Sequence, residues 1–93
     1  MSKITKEKFP LGRIVTTANV ARQLSQEEIH IAMGRHAAGD WGNASGEDKK
    51  LNDEAIESGY QIMSVYVSQE GVKFWIITEA DRSATTVLLP EDY

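Results

Sequence analysis

The sequence predicts an α+β fold: N-terminal helices on one face of an antiparallel meander of three strands, or four if residues 11–17 form a short first strand. Two observations carry this. Between Ser25 and Gly39 apolar residues recur at helical spacing, whereas after Gly59 the period falls to two, the spacing of a half-buried strand. Helical signals come first and strand signals after, so the two kinds are segregated along the chain rather than alternating as in βαβ units.

Taken in order, residues 1–8 (MSKITKEK) read as a mobile polar lead-in, and residues 9–93 as a single domain. LGRIVTT (11–17) has the β-branched content of a short strand. Thr17 or Asn19 is placed to cap a short helix that runs to about Leu24. Ser25 and Glu28 make a capping box for the clearest helix, and Ile29, Ala32, Met33, His36 and Ala37 form its apolar stripe. Gly34 weakens that helix and is expected to permit close approach of a neighbour, while Gly39 suits a left-handed stop.

A third helix is expected from Ser45 or Gly46 to Gly59, with Leu51, Ala55 and Ile56 as a narrow apolar stripe. YQIMSVYVS then alternates as a strand, and SQEG forms a hairpin turn with Gly71 at the positive-φ position. VKFWIITEA and TTVLLPE complete the meander. Pro90 cannot donate to a ladder, so the last strand is expected to end there or to lie at an edge.

Composition bounds the function classes. The chain has 93 residues, 41% hydrophobic and 26% charged, as in a soluble single domain able to fold without disulfides. It has no cysteine, which removes thiolate zinc sites and thiol nucleophiles and suits a reducing cytoplasm. Neither an apolar membrane span nor a signal-peptide h-region is visible. The formal charge of −4 disfavours broad phosphate-backbone binding. No cofactor or metal is called for: His30 and His36 are six residues apart, about 240° around a helix, the wrong spacing for a shared ion.

Two stretches concentrate chemistry. In RHAAGDWGN (35–43), His36 lies on the inward stripe and Asp40 follows four residues later. That pairing suits a general base held in one tautomer, with Trp41 as an aromatic platform. The competing structural reading has His36 at a helix C-terminus, Asp40 in a turn and Trp41 in the core. In EADRSATT (79–86), Asp81, Arg82 and Ser83 are ordinary turn residues and Thr85 and Thr86 good strand formers. Chemically, however, Arg82 is a forked cation suited to phosphate or carboxylate, with hydroxyls from Ser83, Thr85 and Thr86 along the same edge. If this end of the sheet meets the His36–Trp41 loop, one cleft would hold an anion or a nucleotide. Paired acids such as Asp53-Glu54 read as solvated helix faces.

The joint pattern RH-x-x-GDWG, ED, SVY and WIITEADRSATTVLLPEDY resembles a family of small bacterial proteins labelled plasmid-related. The likeness runs from about Phe9 to the C-terminus and implies a cytoplasmic protein of plasmids or other mobile elements, with no established activity. Some such proteins carry a type I restriction label, which this chain's lack of a cofactor-binding or motor motif does not support. In architecture alone the chain also looks like the barnase-like and RelE-like ribonucleases, which cleave without metal. That likeness would make His36 the acid/base, Arg82 the phosphate clamp, Thr85 or Thr86 a hydroxyl ligand and Trp41 or Tyr66 a stacking platform.

The expectation is therefore a small accessory protein, monomer or homodimer. It would bind a protein or nucleic-acid partner through Asp40, Trp41, Asp81, Arg82, Ser83, Thr85 and Thr86, and could act by interfering with host machinery. The alternative is a metal-independent ribonuclease built on His36 and Arg82.

Overall fold

The computed structural model describes residues 7–93, so residues 1–6 of the expected lead-in lie outside the described residues. Lys8 is held in place, its backbone N–H donating to the Ala37 carbonyl at 2.9 Å. The elements are β1 (Arg13–Thr16), α1 (Ala18–Gln23), α2 (Gln26–Ala37), α3 (Gly46–Ser58), β2 (Ile62–Val67), β3 (Lys73–Thr78) and β4 (Ala84–Leu88), closed by a 3₁₀ turn at Pro90–Asp92. This is an α+β protein, and no helix among the described residues is long and apolar enough to cross a membrane.

Local chemistry sets the element boundaries. Thr17 caps α1 by accepting from the Val20 N–H, and Ser25 and Glu28 complete both halves of a capping box on α2. Ser45 caps α3, and Gly59 ends it in the left-handed conformation at φ 80°. Gly34 faces open space, with nothing within 4 Å of an added Cβ. The expected close neighbour at Gly34 is absent because the residue sits on the outward side of α2.

The sheet order is β1-β4-β3-β2. The pairs β2–β3 and β3–β4 are antiparallel, as a meander requires, but β1 joins β4 in parallel, so the sheet is mixed rather than purely antiparallel. Helices separate β1 from the meander, and a crossover connection delivers a strand in the parallel sense. As a result β4 is internal, and Pro90 ends it rather than marking an edge.

One face of the sheet carries the core. Ile62, Tyr66, Phe74, Ile76 and Val87 pack with Phe9, Val20, Leu24, Ala32, Met33, Ala37, Trp41 and Ala55. The alternate residues point the other way. Met63, Ile77, Thr86 and Val15 form one row across all four strands, and Trp75 and Leu88 stand in the next. Ile77 and Leu88 are buried yet lie outside the helix-covered cluster.

Helix α3 keeps Ala55 and Ile56 of the expected stripe on the core but is rotated so that Leu51 is lost from it. Leu51 is 56% exposed, while Asn52 and Ala55 are buried. The reason is the free edge of β2: the Asn52 amide donates to the Met63 carbonyl at 2.7 Å and accepts from the Met63 N–H at 3.2 Å. A leucine at that position would leave two backbone groups unpaired.

Candidate functional site

His36 comes off the inward face of α2 and is wholly enclosed, with 0% of its surface exposed. Its Nδ1 meets Ser64 Oγ at 2.5 Å and its Nε2 meets Thr78 Oγ1 at 2.8 Å. Thr78 Oγ1 lies 2.7 Å from Thr85 Oγ1, and Thr85 donates to the Leu11 carbonyl at 2.7 Å. That carbonyl has no proton to give, so it orients the whole series. Thr85 spends its proton on Leu11 and must accept from Thr78. Thr78, its proton spent, must accept from His36 Nε2–H. Nδ1 is then the acceptor, and Ser64 donates to it. The imidazole is neutral, and burial pushes its pKa down to about 4.

Asp40 does not join His36. Past the Gly39 turn it points outward and takes a forked pair from Arg35, with Nε to Oδ2 at 2.7 Å and Nη2 to Oδ1 at 3.2 Å. The Arg35 guanidinium holds the Asp40 carboxyl below its ordinary value. Asp40 Oδ1 also accepts from the Gly42 N–H, and its carbonyl accepts from Tyr66 Oη at 2.7 Å. These bonds fasten the loop that follows α2.

That loop closes the β2 edge. Val65 donates its N–H to the Trp41 carbonyl at 3.2 Å and accepts from the Asn43 N–H at 2.6 Å. Gly42, at φ 67°, lies directly against Val65 and the Tyr66 ring, where any Cβ would collide with the Val65 carbonyl. Trp41 is 4% exposed, and its indole N–H donates to Asp53 Oδ1 at 2.9 Å. Asp53 and Glu54 are exposed, as a solvated acidic face requires, and Asp53 also anchors the loop.

Arg82 is occupied by carbonyls. Its Nη1 donates to Tyr60, Glu79 and Ala80, and its Nη2 to Ala55 at 2.7 Å near the C-terminus of α3. It holds the turn in a left-handed conformation at φ 62°, one that non-glycine residues seldom adopt. Asp81 Oδ1 accepts from the Ser83 N–H at 3.0 Å and stays exposed, as does Ser83. Bonds from Ser83 lower the Asp81 pKa.

The candidate residues thus sort by position rather than meeting in one cleft. His36, Trp41 and Arg82 gather around Phe9. The Phe9 ring lies 5.3 Å from His36 edge-on, 6.1 Å from Trp41 in a stack and 5.7 Å from the Arg82 guanidinium. Phe9 is 5% exposed and fills the space a shared His36–Arg82 cleft would need. Thr85 and Thr86 are not on one edge: strand alternation sends Thr85 into the core and Thr86 to the opposite face, between Ile77 and Val15.

Ser64, Thr78, Asn52 and Asp53 are the side-chain partners that sequence reasoning passed over. A signal for two of them existed, since Ser64 and Thr78 are polar residues at the inward parity of otherwise apolar strands. Among the described residues no group of three His, Asp or Glu side chains is placed to hold a metal ion. A groove of about 650 Å³ lies elsewhere, between β1, α1 and α2. Compared with family models, curated proteins and solved structures, the chain matches none of them.

Proposed function

We propose that this is a small accessory protein, of the kind carried by plasmids and other mobile elements, that works in the cytoplasm by binding a macromolecular partner. Interference with host machinery is a role such a binder would serve. The observation that carries this reading is the distribution of apolar surface. The helices cover one face of the sheet, while Val15, Val67 and Tyr93 remain exposed at 38%, 47% and 77% on or beside the other, with Trp75 in edge contact with Tyr93 at 5.7 Å. Val15 and Val67 stand on the two outer strands with the half-buried Trp75 between them, and a sheet face with such apolar groups and no helix over it suits an interaction surface more than a reaction site. Asp40, Asp81 and Ser83 supply exposed polar groups elsewhere on the surface, and Trp41, Arg82 and Thr85 support the fold beneath them.

The ribonuclease alternative needs His36 to reach a substrate hydroxyl, and an imidazole enclosed by Ser64, Thr78, Phe9 and Trp41 is poorly placed for that. The test is a photo-crosslinker at position 67 in expressing cells, paired with an RNA-cleavage assay of the purified chain. The expected result is one defined crosslinked product, lost on Trp75→Arg, and no cleavage at high protein concentration. RNA cleavage by the wild type would overturn the binding reading. So would crosslinks that are diffuse and indifferent to Trp75→Arg.

A further inference from the structure

The two edges of the sheet are treated differently. Along β2, the outward backbone groups of Met63 and Val65 are all taken, by the Asn52 amide and by the Trp41–Asn43 loop. Along β1 no described residue takes them. Arg13 and Thr17 direct their N–H groups to Ser83 and Val87 of the β4 side, each at 3.0 Å. The intervening N–H and C=O groups of Ile14 and Thr16 therefore point away from the sheet. All four residues of β1 are exposed, and Ile14 is 52% so. Arg13 stands at its start, but among the described residues no proline, bulge or covering loop blunts the strand.

Beside this edge runs the groove of about 650 Å³, with Ile14 and Thr16 on its strand side and Leu24, Ile29 and Met33 along the helices. Alternate side chains of an added strand would point into it, with backbone bonds supplying affinity and the groove supplying selectivity. Its charge restricts the occupant. Among the described residues Glu27 is the one formally charged residue in the lining, and the whole chain carries −4. A second copy adds four more negative charges. Its own groove-facing β1 residues would be Ile14 and Thr16, neither of them cationic.

We propose that the open edge of β1 receives an extended peptide segment of a partner protein, which adds as an outer strand with alternate apolar side chains in the groove and a lysine or arginine against Glu27. This rests on the binding reading above and names the class of partner and the place it docks.

A random ten-residue peptide library displayed on phage and panned against the full chain tests it. Enriched sequences should alternate apolar and polar residues and carry a cation. Thr16→Pro removes only an outward N–H, which an edge strand tolerates, and should weaken the selected peptides at least tenfold, whereas Thr16→Val should not. Glu27→Lys should abolish the preference for a cation. N-methylation of alternate peptide amides, those facing β1, should eliminate binding to the wild type, while methylation of the others should not. This last scan decides the matter should Thr16→Pro fail to fold.

Peptides indifferent to Thr16→Pro and to the position of N-methylation would place binding elsewhere. That outcome overturns the edge inference and leaves the crosslinking result to judge the binding reading separately. An absence of enriched sequences would also overturn it. So would dimerisation of the chain alone that Thr16→Pro abolishes, because the occupant would then be a second copy.

Discussion

His36 shows how a residue that looks catalytic in sequence can be enclosed among hydroxyl partners in space. Its place on the inward stripe of α2 was legible from spacing alone. Its partners were not, because Ser64 and Thr78 lie 28 and 42 residues away and only the sheet register delivers them. The same limit applies to Arg82, whose forked cation suits an anion but here satisfies carbonyls of α3 and its own turn. Burial of a neutral imidazole has a measurable consequence. The folded-state pKa, about 4, lies below the ordinary 6.5, so between those values the unfolded chain binds the proton and the folded chain does not. Stability contributed by His36 is therefore complete above pH 6.5 and is lost as pH falls toward 4, by about 3 kcal/mol in all. The carboxyls of Asp40, Asp81 and Asp92 are depressed below 3.8, so what they contribute starts to be lost only at the acid end of this window and goes mostly below it. Urea unfolding from pH 7 to pH 4 should show the decline in the wild type. His36→Gln should be less stable at pH 7 but nearly flat across the range. Parallel slopes for the two proteins would show that another group governs the window.

At the scale of elements, what is encoded within a few residues was readable and what depends on a distant edge was not. The capping box at Ser25 and Glu28, the Thr17 cap and the glycine stop at Gly59 are local, and all form as their sequences indicate. The rotation of α3 is not local: hydrophobicity favours Leu51 inward, yet the unpaired edge of β2 needs an amide, and Asn52 supplies both donor and acceptor. The GDWG stretch has the same explanation. Its loop carries the backbone groups that close Val65, and Gly42 is the residue that lets it come close enough. Two glycine substitutions should separate in sign. Gly34→Ala, mid-helix and facing open space, should stabilise the protein by about 1 kcal/mol. Gly42→Ala combines a positive φ with a collision against the Val65 carbonyl and should cost about 3 kcal/mol. Thermal unfolding of the two variants beside the wild type checks both. A neutral Gly42→Ala would mean that the loop can withdraw from β2 at little cost.

For the molecule as a whole, the informative difference from the expected meander is the parallel seam between the first strand and the last. Strand-forming residues identify β1 and β4 as strands but contain no information about which strands lie side by side, and the seam joins Arg13 to Ala84 across most of the chain. Other links reinforce that closure: Thr17 Oγ1 and Asn19 Nδ2 donate to the Asp92 carboxylate at 2.8 and 2.6 Å, and Thr85 donates to Leu11. Neither half of the chain holds the complete sheet, and one core cluster contains residues from all three helices and from β2, β3 and β4. A fold closed in this way should unfold as one cooperative unit. The two tryptophans report on different layers, Trp41 buried between helix and sheet and Trp75 on the face the helices leave bare. In Trp75→Phe and Trp41→Phe variants, each left with a single indole, the fluorescence midpoint in urea should coincide with the midpoint from far-ultraviolet circular dichroism of the same variant. Trp41→Phe should shift both probes together to lower urea, since it deletes the bond to Asp53. If Trp75 fluorescence changes well before the helical signal, the bare face opens on its own, and the seam between β1 and β4 does not couple the sheet to the helices.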